Sequence, residues 1–290
     1  MSTIWADLMG CQVRYYGSKY RTRVIEVGTG EPLILLHGLG GHAEAYSRNM
    51  VRLGQHFHAM AIDLLWHGFS SKPAFTNENI PTYAEQLIDF MDVQGIERAH
   101  IEGDTLGGWI AIWMALKHPD RVNRLIVNIP GGIGPIPGTA KGETQKKEEL
   151  EIRRQRSLEI IRNLNRGKVR QRLELYMAEP DRVTDELVEV RFKIYSDPKS
   201  QESLAQLFGF GAPDKFRIPE KELKNIKAPT LVLWADRCPV MEPSVGERIS
   251  HLIPGATFHC IKDAGNWSHW EHPEEHDRVV ISFLRGQKLQ

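Results

Sequence analysis

Cysteine, an excess of either charge and long apolar runs are all scarce in this 290-residue chain. The three cysteines are Cys11, Cys238 and Cys260. An odd, scattered set excludes a disulfide framework and predicts a reducing, cytoplasmic setting. Lys+Arg and Asp+Glu stand at 37 each, so the charge excess that favours nucleic-acid or membrane-surface binding is missing. Apolar runs such as Pro32 to Leu36 and Pro229 to Trp234 have strand length, far below a membrane span. The stretch Met1 to Asp7 has no basic region followed by an apolar one, so no secretory signal is expected. No C-x-x-C or H-E-x-x-H spacing occurs, which leaves a metal site without support, and no cofactor is called for. What is present is 41% hydrophobic and 26% charged residues, enough for a sizeable core in one large or two small domains. A small-molecule substrate is the expected partner, and self-association is left open.

Strand and helix patterns alternate, which predicts an α/β fold with a mainly parallel sheet covered on both faces. The expected strands are Gln12 to Tyr16, Arg21 to Val27, Leu33 to Leu36, Ala59 to Asp63, Arg98 to Glu102, Arg124 to Asn128, Thr230 to Trp234 and Thr257 to Ile261. Apolar spacing predicts helices at Ile80 to Gln94, Gly107 to His118 and Pro273 to Arg285. Pro130 to Gly142 is rich in Gly and Pro and reads as a linker. A charged segment with helical spacing then runs to about Phe210. The division expected is a core of residues 1–134 and 218–290, interrupted by a helical cap of residues 135–217.

The segment Gly103-Asp104-Thr105-Leu106-Gly107 has the G-x-S-x-G pattern with threonine where serine is expected. That pattern marks a strained strand-to-helix turn that presents its central side chain. Other signals flank it in order. His37-Gly38-Leu39-Gly40-Gly41 follows a strand, and Asp63 to Ser70 follows the next. Trp234 to Pro239 closes a later strand, and Asp263-Ala264-Gly265-Asn266-Trp267 comes near the end.

With these residues in place, the chain resembles the α/β-hydrolase superfamily along nearly its full length. The resemblance implies a mostly parallel, eight-stranded sheet with a cap. The segment Val183 to Phe192 and Trp267 are most similar to the meta-cleavage-product hydrolases, which split carbon–carbon bonds of vinylogous diketone acids. In that branch the residue matching Arg191 grips the substrate carboxylate, and the resemblance places Trp267 and His37 beside the substrate. It also places the oxyanion hole at the N–H groups of Leu39 and Leu106.

Matched to the branch, the triad Ser, Asp, His reads Thr105, Cys238, Asn266. Asp104 stands where the branch often has asparagine. Threonine keeps a hydroxyl but stiffens the turn. The asparagine amide has no useful basicity, and a thiol without an adjacent cation stays neutral. Three readings follow: an atypical enzyme using the oxyanion hole on a small oxo- or enol-acid or a phenolic compound, by a lyase, isomerase, cyclase or decarboxylase step; a non-catalytic ligand-binding protein; and a hydrolase with a relocated triad. The last requires a histidine within about 4 Å of the Thr105 hydroxyl. His37, His259 and His269 are the candidates for the base, and Asp236 for the acid; the ordinary roles of such residues are packing, loop structure or surface pairing.

Overall fold

The computed structural model describes residues 3–134, 143–210 and 214–289. An eight-stranded sheet runs through the molecule in the order β1-β2-β4-β3-β5-β6-β7-β8. The strands are β1 (Gln12–Tyr16), β2 (Thr22–Val27), β3 (Pro32–Leu36), β4 (His58–Ile62), β5 (Ala99–Asp104), β6 (Val122–Asn128), β7 (Thr230–Ala235) and β8 (Thr257–Ile261). The β1–β2 and β2–β4 pairs are antiparallel and the other pairs parallel. The central strands β5 and β7 are buried at every position; the near-continuous apolar run of β7 suits a strand covered on both faces, whereas β5 buries His100, Glu102 and Asp104 as well.

Eleven α-helices accompany the sheet among the described residues: α1 (Ile4–Asp7), α2 (Ser47–Gly54), α3 (Asn79–Val93), α4 (Leu106–Lys117), α5 (Glu143–Arg162), α6 (Arg166–Glu174), α7 (Asp185–Ser196), α8 (Pro198–Phe210), α9 (Pro243–Leu252), α10 (Ser268–Glu271) and α11 (Pro273–Leu284). Helices α5 to α8 lie between β6 and β7 in sequence, where the helical insertion is expected. Of the expected linker Pro130–Gly142, residues 135–142 lie outside the described residues.

Four helices, α1, α2, α9 and α10, are absent from the sequence reading. α2 and α9 are short, and each buries only a few apolar side chains, Met50 and Leu53 in one and Val245 and Ile249 in the other. So narrow a stripe gives a weak helical signal. Strand β5 runs two residues further than its apolar pattern, through Gly103 and Asp104. Both pair with β6, and the polar Asp104 is tolerated there because Asn128 opposite donates to it at 3.2 Å.

Helices of the insertion meet the loops of the sheet close to the sequence signals. Asn266 N–H donates to Tyr176 C=O at 2.7 Å, Glu271 accepts from Gly265 N–H at 2.7 Å and Ala178 N–H at 2.8 Å, and Tyr195 O–H donates to Gly40 C=O at 2.7 Å. Together these seat α6, α7 and the turn after α6 directly over the loops that follow β3 and β8.

Candidate active site

The site is organised by the turn at Thr105. Its φ of 49° and ψ of −98° put a β-branched residue where few side chains sit, a cost of about 1–3 kcal/mol. The turn is pinned on both sides: Thr105 N–H donates to Asn128 C=O at 3.0 Å, while Thr105 C=O accepts from Trp109 N–H and Gly131 N–H. Gly103 and Gly107 make the close approach feasible. A Cβ on Gly103 would lie 2.2 Å from the backbone of Gly107, and one on Gly107 would lie 2.2 Å from Leu36 C=O.

Around the Thr105 hydroxyl the structure brings together Asn266, Cys238 and Asp104. Asn266 Nδ2 lies 3.1 Å from Thr105 Oγ1 and 3.5 Å from Asp104 Oδ1, and Cys238 Sγ lies 3.8 Å from Asn266 Oδ1. The direction of these bonds matters more than their lengths. The thiol donates to the amide oxygen, and the amide N–H donates to the Thr105 oxygen. The Thr105 proton is therefore directed at Asp104, whose carboxyl it hydrogen-bonds. In a Ser-His-Asp triad the hydroxyl donates to the base. Here the arrow between the first two positions is reversed.

Asp104 is 2% exposed. Burial holds its carboxyl well above the usual carboxylate range; the Thr105 hydrogen bond and the His276 charge offset this only in part, and the Glu102 charge adds to it. The surroundings of the group next to the hydroxyl thus favour its protonated form.

Two backbone donors belong to segments beside Thr105, and a Cβ on Gly38 would lie 3.6 Å from Thr105 Oγ1. Leu106 is the first residue of α4, where an N–H has no partner within the helix. Neither its N–H nor that of Leu39 has an acceptor among the described residues. Arg191, on α7, is 2% exposed, its guanidinium stands 4.9 Å from the Trp267 ring, and its Nε and Nη2 have no hydrogen-bond partner. A buried cation with unused donors is costly unless an anion joins it.

His37 is not available for chemistry or for substrate. Its Nδ1–H donates to Gly38 C=O at 2.8 Å and its Nε2 accepts from Leu64 N–H at 3.1 Å, so both nitrogens hold the turn. Burial pushes its pKa down to about 4. The remaining candidates for base and acid lie elsewhere. His259 pairs with Glu275 at 3.0 Å, and Asp236 lies 3.9 Å from Lys262. His269 is buried against Tyr46, with ring centroids 4.7 Å apart, and neither of its nitrogens has a partner. No described histidine hydrogen-bonds Thr105.

Sequence reasoning missed His42 and His67. His42 Nδ1 bonds Glu44 at 3.0 Å and His67 Nδ1 bonds Leu65 C=O at 2.8 Å, which leaves each Nε2 as a buried lone pair without a donor. Burial lowers the pKa of both, and the charge of Arg191 adds to the shift. Each follows a strand end, and only the fold shows them near Arg191. Among the described residues no group of three or more His, Cys, Asp or Glu is placed to hold a metal ion.

Residues 31–273 match the family model described as alpha/beta hydrolase fold, and the chain belongs to that family. Within it, the chain is similar to meta-cleavage-product hydrolases. It is 28% identical to the 2-hydroxymuconate semialdehyde hydrolase of Pseudomonas putida, with 91% of each chain covered. It is 28% identical to a 2-hydroxy-6-oxononadienedioate/2-hydroxy-6-oxononatrienedioate hydrolase of Burkholderia vietnamiensis, covering 93% of this chain and 92% of the relative. Among solved structures, a meta-cleavage product hydrolase from Pseudomonas fluorescens IP01 superposes with a TM-score of 0.79 at 25% identity, over 96% of this chain and 99% of that one.

Proposed function

We propose that this protein is an enzyme for a small 2-oxo or enol carboxylic acid, or a phenolic acid of the same character. It performs a carbon–carbon or isomerising step without a serine-type acyl intermediate. The observation that carries this reading is the reversed hydrogen bond at Thr105, with the buried Asp104 carboxyl, whose pKa burial raises, beside it. Arg191 takes the carboxylate by its free guanidinium edge, over Trp267. The oxo or enolate oxygen lies against the N–H groups of Leu39 and Leu106, each worth about 10²–10³ in rate for a developing oxyanion. Asp104 supplies the proton that an enolate carbon takes up as it becomes a ketone, and regains it from the next enol. Lyase, decarboxylase and isomerase steps all pass through such an enolate.

A second reading is hydrolysis, and one observation favours it: the Thr105 hydroxyl is bonded to Asp104, which as a carboxylate would be its base. The names of the relatives point the same way. The protonation of Asp104 decides between the two, because a base must be ionised to act and an acid must not.

The test is to mix the protein with a 2-hydroxy-6-oxo-dienoic acid and follow its chromophore in ¹⁸O-labelled water. Ketonisation of the dienol, without formation of an ¹⁸O-labelled acid fragment, is expected. Asp104→Asn should lower kcat about 10²-fold, and Arg191→Met should raise KM. Incorporation of ¹⁸O would support hydrolysis instead, and saturable binding without product would leave a ligand-binding protein. Turnover indifferent to both substitutions would remove the site from the reaction. Restoring Thr105→Ser, Cys238→Asp and Asn266→His together should create esterase activity.

A further inference from the structure

The loop that carries Leu39 is a β-turn. Gly41 N–H donates to Gly38 C=O at 2.9 Å, and Gly40, the third residue, has a φ of 73°, as a type II turn requires. The turn's own hydrogen bond does not use the amide of its second residue, and that residue is Leu39. Gly38 stands against the site, since a Cβ on it would lie 2.8 Å from Asp104 Oδ2 and 3.6 Å from Thr105 Oγ1. Where the Leu39 N–H points is therefore set by what holds this four-residue turn.

Two side chains hold it. His37 does so from within the loop, through Nδ1–H to Gly38 C=O. The other comes from the insertion: Tyr195, on α7 and 1% exposed, donates its O–H to Gly40 C=O at 2.7 Å. A phenol has one proton to give, and here the turn receives it. The contact is close on all sides, because a Cβ on Gly40 would meet Tyr195 Oη at 2.7 Å and Phe208 Cζ of α8 at 3.0 Å. Arg172, on α6 and 5% exposed, stands behind both. Its Nη1 donates to Ser157 Oγ at 2.6 Å, and its guanidinium hydrogen-bonds the Tyr195 side chain and lies 4.6 Å from the Phe208 ring. A cation donating to a phenol oxygen polarises the O–H and strengthens the bond that the O–H makes onward. Side chains from three helices thus converge on one carbonyl beside Leu39.

We propose that Tyr195 is a positioning residue for the oxyanion site: its hydroxyl, oriented by Arg172, fixes the Gly38–Gly41 turn so that the Leu39 N–H meets the reacting oxygen. This rests on the reading that the Leu39 N–H faces an oxo or enolate oxygen. Tyr195 lies four residues after Arg191, so one face of α7 carries both the guanidinium and the hydroxyl that sets the turn. The spacing between the carboxylate grip and the oxyanion donor is then fixed by a single helix.

The experiment makes two measurements on the full chain, with Tyr195→Phe, Arg172→Met and the double variant. The first is amide hydrogen exchange, which needs no substrate. The Gly41 N–H, which closes the turn, should exchange about 10-fold faster in Tyr195→Phe, while the amides of β3 and β5 keep their wild-type rates. If that variant does not fold, the same amide in Arg172→Met should exchange about 3-fold faster. The second is turnover of a 2-hydroxy-6-oxo-dienoic acid. Tyr195→Phe should lower kcat about 10-fold, short of the 10²–10³ that follows outright loss of a donor, with KM changed by less than about twofold. Arg172→Met should lower kcat about 3-fold, and the double variant should fall no further than Tyr195→Phe, because the guanidinium acts through the hydroxyl. A wild type that does not turn over the acid removes the proposed reaction, and the exchange rates still decide the role of Tyr195. Wild-type exchange at Gly41 in the variants would overturn the proposal, and so would a kcat untouched by Tyr195→Phe. Additive losses in the double variant would overturn the part given to Arg172.

Discussion

Strand β5 carries two buried carboxyls two residues apart, and their surroundings send them in opposite directions. Glu102 meets His276 Nε2 at 2.9 Å, and the other ring nitrogen of His276 meets Asp277 at 3.0 Å. Burial alone would lower the His276 pKa, but the two carboxylates outweigh it and lift it to about 10. That cluster is therefore charged. It is closed off by Asn49, which donates to Asp277 at 2.7 Å, and by Arg52. Asp104 meets amides and a hydroxyl, none of which carries charge, and burial raises its pKa. One strand thus holds an ionic brace and, next to the turn, a carboxyl whose protonated form burial favours. The difference lies in the partner, not in the depth of burial.

Breaking the brace should have the largest effect. His276→Leu leaves Glu102 and Asp277 buried without a cation and should cost about 3–5 kcal/mol in urea unfolding at pH 7. Asp104→Asn should not destabilise the protein at pH 7, because it replaces a carboxyl whose ionisation burial opposes with a neutral amide. Equal losses would erase the contrast between the two clusters.

The pH dependence sharpens it. His276 has its pKa raised from 6.5 to about 10, so its stabilisation is complete below 6.5 and is lost as pH rises through about 10. The difference in unfolding free energy between wild type and His276→Leu should shrink steadily across that window. Asp104 is likewise raised, from 3.8, so the unfolded chain ionises first and the native state loses ground as pH rises above 3.8. Asp104→Asn should therefore gain on the wild type between pH 4 and pH 7, and a constant difference would show an unperturbed carboxyl.

Smaller effects test the two surroundings. Thr105→Gly should raise stability by about 1 kcal/mol by releasing the left-handed backbone, the strain relieved exceeding the added chain entropy. Arg52→Ala should cost about 1 kcal/mol, since this arginine is a third exposed and its pair with Asp277 is partly screened. Both are measured by denaturant unfolding, and a loss at Arg52 matching that at His276 would shift the origin of the brace to the surface.

Much of this was legible in the chain. The glycines around Thr105, the His-Gly turn and the order of the loop signals follow from local backbone requirements, and they located the sheet and the turn. The identities at 105, 238 and 266 already excluded a base at the third. The Glu102–His276 pair, 174 positions apart, has no local signature, and His276 reads as one more polar residue of α11. Arg172 reads as a solvated charge in a basic run, and only tertiary packing buries it. His37 shows the converse: a motif histidine whose nitrogens are both committed to the turn it sits in.

The central claim is that Asp104 carries a proton at neutral pH beside a hydroxyl that has no base. Infrared spectroscopy of the wild type against Asp104→Asn at pH 7 measures this directly. A protonated-carboxyl C=O stretch in the wild type that is missing from the variant is expected. A difference spectrum showing only the bands of an ionised carboxylate would contradict it and would make Asp104 a base for Thr105.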